Sequence, residues 1–218
     1  MIKLCIFDLD GTVLDTVTSI AHFANYALVS HGIEPIEPKE YRYLAGGGIV
    51  SLMRGVLKYR GREGDEALYQ SIYRTYDDAY TAEPAYLSRI FDGMKETLDA
   101  LKAQGVRIAI LSNKPEYVVT AVVDELYGKA YFDLVWGQSE RYPLKPDPAS
   151  VLAVAEHFGV EKSEVLYIGD TSTDMQTAKN AGFPAIGVLW GFRDRDELLE
   201  SGANVLLAHP SELLQLLK

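Results

Sequence analysis

An α/β fold, with a parallel sheet covered by helices on both faces, is what this sequence predicts, and three observations predict it. Short aliphatic and β-branched runs recur at Leu4–Phe7, Val106–Leu111, Leu134–Trp136, Val165–Ile168, Ala185–Leu189 and Val205–Leu207. Amphipathic helical stretches separate several of these runs, and strand–helix alternation is the pattern that sets neighbouring strands parallel. The alternation is broken once: from about Asp15 to Ala82 no stretch reads as a strand. That segment is predicted to be a helical insertion following the first strand.

Each element has its own local reason. Leu4-Cys5-Ile6-Phe7 is a continuous apolar run, as expected of a strand buried on both faces. The inserted segment divides at His31-Gly32, Gly46-Gly47-Gly48 and Gly61-Arg62-Glu63-Gly64, which leaves roughly three or four helices. Nine of the fourteen tyrosines fall between Tyr26 and Tyr86, and they are expected to pack within this lobe or against the core rather than line a cleft. Met94, Leu98 and Leu101 share one helical face, with Gly105 as the stop. A helix over Pro148–Phe158 is predicted, with Asp147 as its N-cap and Pro148 in its first position. The expected division is a discontinuous α/β core, residues 1–14 plus 83–218, and a helical domain over 15–82.

Composition narrows the function. The chain has 218 residues, 48% hydrophobic and 24% charged, as in an ordinary water-soluble domain. No run approaches the ~18 apolar residues of a membrane span. The opening residues run straight into acids and carry no cleavable signal pattern. The single cysteine, Cys5, leaves no intrachain disulfide to form, so a cytoplasmic location is expected. A net charge of −10 argues against nucleic acid or an anionic membrane as a partner.

The chemistry lies just beyond the strand ends, where open parallel sheets bind their ligands. The first strand ends in Asp8 and Asp10, the second run in Ser112-Asn113-Lys114, and Val165–Ile168 in Gly169-Asp170-Thr171 with Asp174 four residues past Asp170. Lys145 sits in the loop before the Pro148 helix. Taken singly, these residues read blandly: Asp170, Ser112 and Asn113 suit helix caps, and Lys145 suits a surface. Asp8 and Asp10 do not, because burying carboxylates at the end of a core strand costs several kcal/mol unless something compensates. Carboxylates at neighbouring strand ends repel, and Mg2+, a hard cation that prefers oxygen ligands, would neutralise them. Lys145 and the Ser112 hydroxyl would hold an anion beside the metal. This set suits phosphoryl transfer: Asp8 as a carboxylate nucleophile, Asp10 to protonate the leaving oxygen and later deprotonate water. Gly11 lets the backbone turn closely, so the amides after it, Thr12 included, can face a phosphate.

The segments DLDGT (Asp8–Thr12), LSN (Leu111–Asn113), KPDP (Lys145–Pro148) and GDTSTD (Gly169–Asp174) resemble, in order, the four motifs of the haloacid dehalogenase-like hydrolase superfamily. The resemblance covers essentially the whole chain. The helical insertion, Gly46-Gly47-Gly48 with Arg54 downstream, and Trp190-Gly191-Phe192-Arg193 before Glu197-Leu198 resemble the phosphoglycolate phosphatase-like branch. Where relatives often show Pro-x-Pro-Gly, this chain has Arg89-Ile90-Phe91-Asp92-Gly93.

The resemblance implies a Rossmann-like three-layer α/β/α core under an all-helical cap, and an Mg2+-dependent phosphomonoesterase acting through an aspartyl-phosphate on a small phosphorylated metabolite, first among them 2-phosphoglycolate. Asp8 would be nucleophile and metal ligand, and Asp10 general acid/base with its carbonyl on the metal. Ser112 and Asn113 would bind the phosphoryl group and Lys145 would hold phosphate and nucleophile together. Asp170 would complete the metal site, with Asp174 supporting the loop or Lys145 from behind. Arg54 and the amides near Gly46–Gly48 are candidates for gripping a substrate anion. Dehalogenating relatives lack an acid at the position of Asp10, so its presence favours phosphate esters. Mutase relatives commonly carry histidine where this chain has Ile20. A sugar-phosphate mutase, a pyrophosphatase, a nucleotidase and a weakly catalytic phosphate-responsive regulatory module are the alternatives.

Overall fold

The computed structural model describes residues 1–217. Its main sheet comprises β1 (Leu4–Phe7), β4 (Arg107–Pro115), β5 (Leu134–Gln138), β6 (Val165–Gly169), β7 (Ala185–Val188) and β8 (Val205–Leu207). The order is β5-β4-β1-β6-β7-β8, all parallel, so β1 lies at the centre and changes direction of winding on either side of it. The alternation of side chains along β1 supplies both cores. Cys5 and Phe7 face Met94, Leu98 and Leu101 of α5 (Met94–Ala103) and Val119, Val122 and Val123 of α6 (Glu116–Leu126). Leu4 and Ile6 face Val151 and Val154 of α7 (Ala149–Phe158) and Met175 and Ala178 of α8 (Ser172–Ala181). With strands buried on both faces, the near-continuous apolar runs of the sequence are explained.

The inserted segment folds as α1 (Val17–Ser30), α2 (Tyr41–Leu44), α3 (Gly48–Tyr59) and α4 (Glu66–Ala82). These helices enclose a core of their own, including Phe23, Leu28, Met53, Val56, Ile72 and Tyr80. Each such buried side chain contributes about 1.5–3 kcal/mol relative to exposure, enough for a short helical lobe to hold its shape. Tyr41, Tyr69, Tyr76 and Tyr80 are buried in that lobe, whereas Tyr26, Tyr43, Tyr59 and Tyr86 are exposed. The remaining helix, α9 (Arg195–Glu200), is short and capped by Asp194. None of the described helices is long and apolar enough to cross a membrane.

Three local features differ from expectation. Leu14–Asp15 (β2) and Arg89–Ile90 (β3) form a two-stranded antiparallel ribbon where the chain leaves and rejoins the sheet, fastened by Arg89 Nε and Nη2 donating to Asp15 Oδ2 at 3.0 and 2.8 Å. The non-proline stretch Arg89–Gly93 is therefore half strand. β4 runs on to Pro115 through a register shift after Leu111, so Ser112-Asn113-Lys114 is an irregular strand end and not the loop beyond it. The helix expected from Pro148 begins one residue later, with Asp147 Oδ1 accepting the Ala149 N–H at 2.8 Å.

Candidate active site

β1 carries Asp8 to the C-terminal edge of the sheet and keeps it there, because the Asp8 amide still donates to Ile168 O of β6 at 2.9 Å. The chain then folds back sharply. Leu9 O accepts from the amides of Thr12, Val13 and Leu14, and Gly11 N donates to Leu14 O at 2.8 Å. Gly11 adopts φ +83°, where a side chain is strained, and a Cβ there would collide with the carboxylate of Asp170. The tight turn is what lets two strand ends approach until their acids meet. It also corrects one expectation: the amides of Gly11 and Thr12 are spent inside the turn and do not face a phosphate site. Thr12 instead donates its hydroxyl to Asp170 Oδ1 at 3.0 Å.

Asp170 does not cap α8. That helix is capped by Thr171, whose hydroxyl and amide both bond Asp174 Oδ2, at 2.7 and 3.1 Å. Asp170 is thereby left, fully buried, with a single donor on each oxygen: Thr12 on Oδ1 and the Phe192 amide on Oδ2 at 2.7 Å. Asp174 is saturated. Its Oδ1 accepts from Lys145 Nζ at 2.8 Å and Tyr167 OH at 3.2 Å, while its Oδ2 takes both Thr171 donors. Lys145 Nζ also donates to Asp8 Oδ1 at 2.7 Å and to Leu111 O at 3.2 Å. Asp8 Oδ2 accepts no hydrogen bond from the described residues. The backbone of Lys145 is gripped by Asn113, which accepts from Lys145 N at 2.9 Å and donates to Lys145 O at 3.1 Å. Asn113 thus positions Lys145 with its side chain, and the buried Ser112 accepts from Lys114 N through its Oγ at 3.2 Å.

Three buried carboxylates, Asp8, Asp170 and Asp174, place one oxygen each within 4.8 Å of the others, against the single ammonium of Lys145. Burial, with Asp174 adding to it and Lys145 opposing it, pushes Asp8 up to about 7, and Asp170 also lies well above the usual carboxylate range through burial and its acidic neighbours. Lys145, between two carboxylates, is held charged. The cluster so lacks positive charge. An oxygen-only donor set with free lone pairs on Asp8 and Asp170 fits a hard divalent cation such as Mg2+, whereas Asp174, with its acceptor positions filled, serves Lys145 and the Thr171 turn.

Asp10 stands apart from this cluster, on the side toward the helical lobe. Its Oδ1 accepts from Lys114 Nζ at 2.7 Å, and the same ammonium donates to Tyr80 OH of α4 at 2.7 Å. Asp10, Lys114, Tyr76, Tyr80, Gly48 and Ile49 line one cleft between sheet edge and lobe. The lobe is latched over the sheet edge by Arg42, donating to Gly191 O, and by Arg193, donating to Ala45 O at 3.0 Å. Lys114 and Tyr80 were not anticipated as partners of Asp10; Lys114 lies 104 residues from Asp10 and 34 from Tyr80, and nothing local announces either pairing.

Arg54 belongs elsewhere. Its guanidinium bonds Glu66 Oε2 at 2.9 Å and lies 3.9 Å over the Tyr69 ring, on the half-exposed outer side of α3. The side chain reaches across to α4 and does not line the cleft that contains Asp10. The glycines upstream are better placed, with Gly46 O accepting from Asn113 Nδ2 at 3.4 Å and Gly48 packed on Asn113 O.

A parallel sheet whose carboxyl edge gathers these acids and one lysine beneath a helical lobe is an arrangement suited to hydrolysis of an anionic substrate. Residues 5–188 match the haloacid dehalogenase-like hydrolase family. A phosphoglycolate phosphatase of Aquifex aeolicus is 32% identical over 215 residues, covering 99% of this chain and 96% of its own. Another, of Pseudomonas putida, is 33% identical over 192 residues, 87% of this chain and 70% of its own. A solved structure from Haemophilus somnus, titled a "predicted phosphoglycolate phosphatase", superposes with a TM-score of 0.92 at 25% identity, covering 100% of this chain and 98% of that one. The chain belongs to the haloacid dehalogenase-like hydrolase family, and within it to the phosphatases.

Proposed function

We propose that this phosphatase hydrolyses small phosphomonoesters by way of an aspartyl-phosphate, with Mg2+ held by Asp8, Asp170 and the Asp10 carbonyl, and that 2-phosphoglycolate is its leading substrate. The observation that carries the reading is the asymmetry at Asp8. Lys145 bonds one oxygen at 2.7 Å and leaves the other without a donor. An unencumbered carboxylate oxygen beside an ammonium is what nucleophilic attack on a phosphate requires.

The bound cation supplies charge neutralisation for the phosphoryl oxygens and the acids around them. Asp8 Oδ2 forms a bond to phosphorus as the ester P–O bond breaks, and Asp10 gives the departing oxygen its proton. Lys145 lies against the phosphoryl oxygens and keeps Asp8 oriented, itself aligned by Asp174 and Asn113. In the second displacement Asp10 takes a proton from water, which attacks phosphorus, and the Asp8–phosphorus bond breaks to release phosphate. The helical lobe excludes bulk water from both steps. The carboxyl group of Asp10 favours a phosphate ester, and the phosphoglycolate phosphatases among the relatives favour 2-phosphoglycolate as that ester. A mutase reading draws no support from Ile20, which lines the cleft with an aliphatic side chain and has no proton to exchange.

The test is phosphate release from 2-phosphoglycolate, sugar phosphates, nucleotides and pyrophosphate, with and without Mg2+, for native protein and Asp8→Asn. Turnover dependent on both Mg2+ and Asp8, with 2-phosphoglycolate preferred, is expected. Isomerised sugar phosphate with little free phosphate would overturn the hydrolytic reading.

A further inference from the structure

We propose that Lys114 and Tyr80 form a second anion site, which selects phosphomonoesters carrying a carboxylate a short distance from the ester oxygen. The inference rests on the phosphomonoesterase reading and names the substrate class of the same site.

The argument starts from unspent donors. An ammonium carries three N–H groups. Those of Lys114 reach Asp10 Oδ1 and Tyr80 OH, each at 2.7 Å, and the third meets no acceptor among the described residues. Tyr80 OH accepts from Lys114, and its own hydrogen is likewise without an acceptor. Lys114 is 8% exposed and Tyr80 2%, so both are largely shielded from bulk water. Buried donors without acceptors are costly and uncommon. Both groups line the cleft that also contains Asp10.

The rest of the cleft supports an anionic occupant. α3 begins there with Gly48 and Ile49, and no side chain caps it, so its first amides and the positive end of its dipole add to the two donors. Tyr76 stacks on Tyr80 with ring centroids 5.4 Å apart, which fixes the phenol in place. Asp77, the other acid of the cleft, is engaged by Tyr117 OH at 2.5 Å. The remaining wall is aliphatic, with Ile20, Leu52 and Val118, and a dry wall strengthens an ionic contact.

Geometry limits the ligand. A leaving oxygen must reach Asp10, and the second anion must reach Lys114, which is one hydrogen bond from Asp10. A leaving oxygen at Asp10 and an anion at Lys114 are therefore neighbours, which fits a carboxylate carried close to the ester oxygen. Two donors side by side match the two oxygens of a carboxylate, an acceptor-only group. The uncharged isostere would leave those donors unpaired, which is how a polar site discriminates most sharply.

The test uses a matched pair, 2-phosphoglycolate and 2-hydroxyethyl phosphate, which differ in carboxylate against hydroxymethyl. Native protein is expected to favour the carboxylated ester by at least about tenfold in kcat/KM, chiefly through KM. Lys114→Met should bring that ratio near one. Tyr80→Phe, which keeps the ring packing, should lower it by about three- to tenfold, with kcat for 2-hydroxyethyl phosphate falling less than that ratio. Equal losses on both esters, or no native preference, would overturn the proposal. Calorimetric binding of 2-phosphoglycolate to Asp8→Asn protein, with and without Lys114→Met, reads the site without turnover. Absence of turnover on every ester therefore sinks the phosphatase reading, whereas binding that ignores Lys114 sinks this one alone.

Discussion

Lys145 Nζ lies 2.7 Å from Asp8 Oδ1, and the two side chains are 3% and 8% exposed. The same ammonium is 2.8 Å from Asp174 Oδ1, so one cation serves two buried carboxylates. A buried pair returns little net stability over an apolar substitute, but removing one partner strands the other's charge.

Lys145→Met is accordingly expected to destabilise the metal-free protein by about 3–5 kcal/mol, and to lower activity by at least about 10³-fold through loss of phosphoryl charge stabilisation. Thermal melts and kcat/KM on one ester check both. Because Asp8 and Asp174 would then face each other unpaired, added Mg2+ should restore part of the stability and little of the activity. Full recovery of activity with Mg2+ would show that the cation alone neutralises the phosphoryl group.

Gly191 controls the position of Asp170. A Cβ at Gly191 would run into Asp170 Cβ and stand 2.6 Å from Asp170 Oδ2 and 2.5 Å from Gly11 O. Its neighbour Phe192 donates the amide that holds Asp170 Oδ2. Gly191→Ala should therefore displace the carboxylate proposed to hold the cation without altering any ionisable group. The half-saturating Mg2+ concentration is expected to rise about 10–100-fold, with a smaller change in kcat at saturating metal, as read from an activity titration. An unchanged Mg2+ requirement would mean that Asp170 does not contact the cation.

The parts of this site that were legible in the sequence are those set by period and by residue order. Four apolar residues in Leu4–Phe7 forced a doubly buried strand, and two acids following it could not be a solvated turn. GDTSTD was legible as strand end plus helix start, but Thr171 and Asp174 cap the helix and so free Asp170 for the site. What could not be read came from long-range packing. The β2–β3 ribbon pairs two residues with two, too short to show a pattern. The Asp10–Lys114–Tyr80 chain joins three separate elements, and the side chain of Asn113 closes on Lys145 across 32 residues. The amides after Gly11 turn inward because Leu9 O accepts all three of them, while the Gly11 amide itself donates to Leu14 O.

The pH dependence of stability follows from Asp8. Burial raises its folded pKa from 3.8 to about 7, and Asp170 moves in the same direction. Between the unfolded and folded values the native state binds more protons than the unfolded chain, so stability falls as pH rises through that window. The metal-free protein is expected to melt lower at pH 8 than at pH 5. Mg2+ competes with those protons, so its stabilising increment should be larger at pH 8 than at pH 5. Differential scanning calorimetry at both pH values, with EDTA or Mg2+, measures this. Asp8→Asn should remove much of the pH difference; a protein whose Mg2+ increment is independent of pH would show that these carboxylates are already ionised in the metal-free state.

Arg54 was a candidate for gripping a substrate carboxylate, and its surroundings predict the opposite. It sits on α3, the helix whose first turn reaches the cleft, but two turns along and on the outer side. There the guanidinium is engaged by Glu66 at 2.9 Å and by the Tyr69 ring at 3.9 Å, with about half of the side chain exposed. An exposed ion pair and an exposed cation–π contact each add little. Arg54→Ala is therefore expected to leave kcat and KM within about twofold for both 2-phosphoglycolate and 2-hydroxyethyl phosphate, since exposed contacts of this kind contribute weakly. A small fall in melting temperature is the only other change expected. The discriminating outcome is a KM increase confined to the carboxylated ester: it would require α3 to rotate by enough to break the Glu66 pair during turnover, and would transfer to Arg54 the role assigned to Lys114.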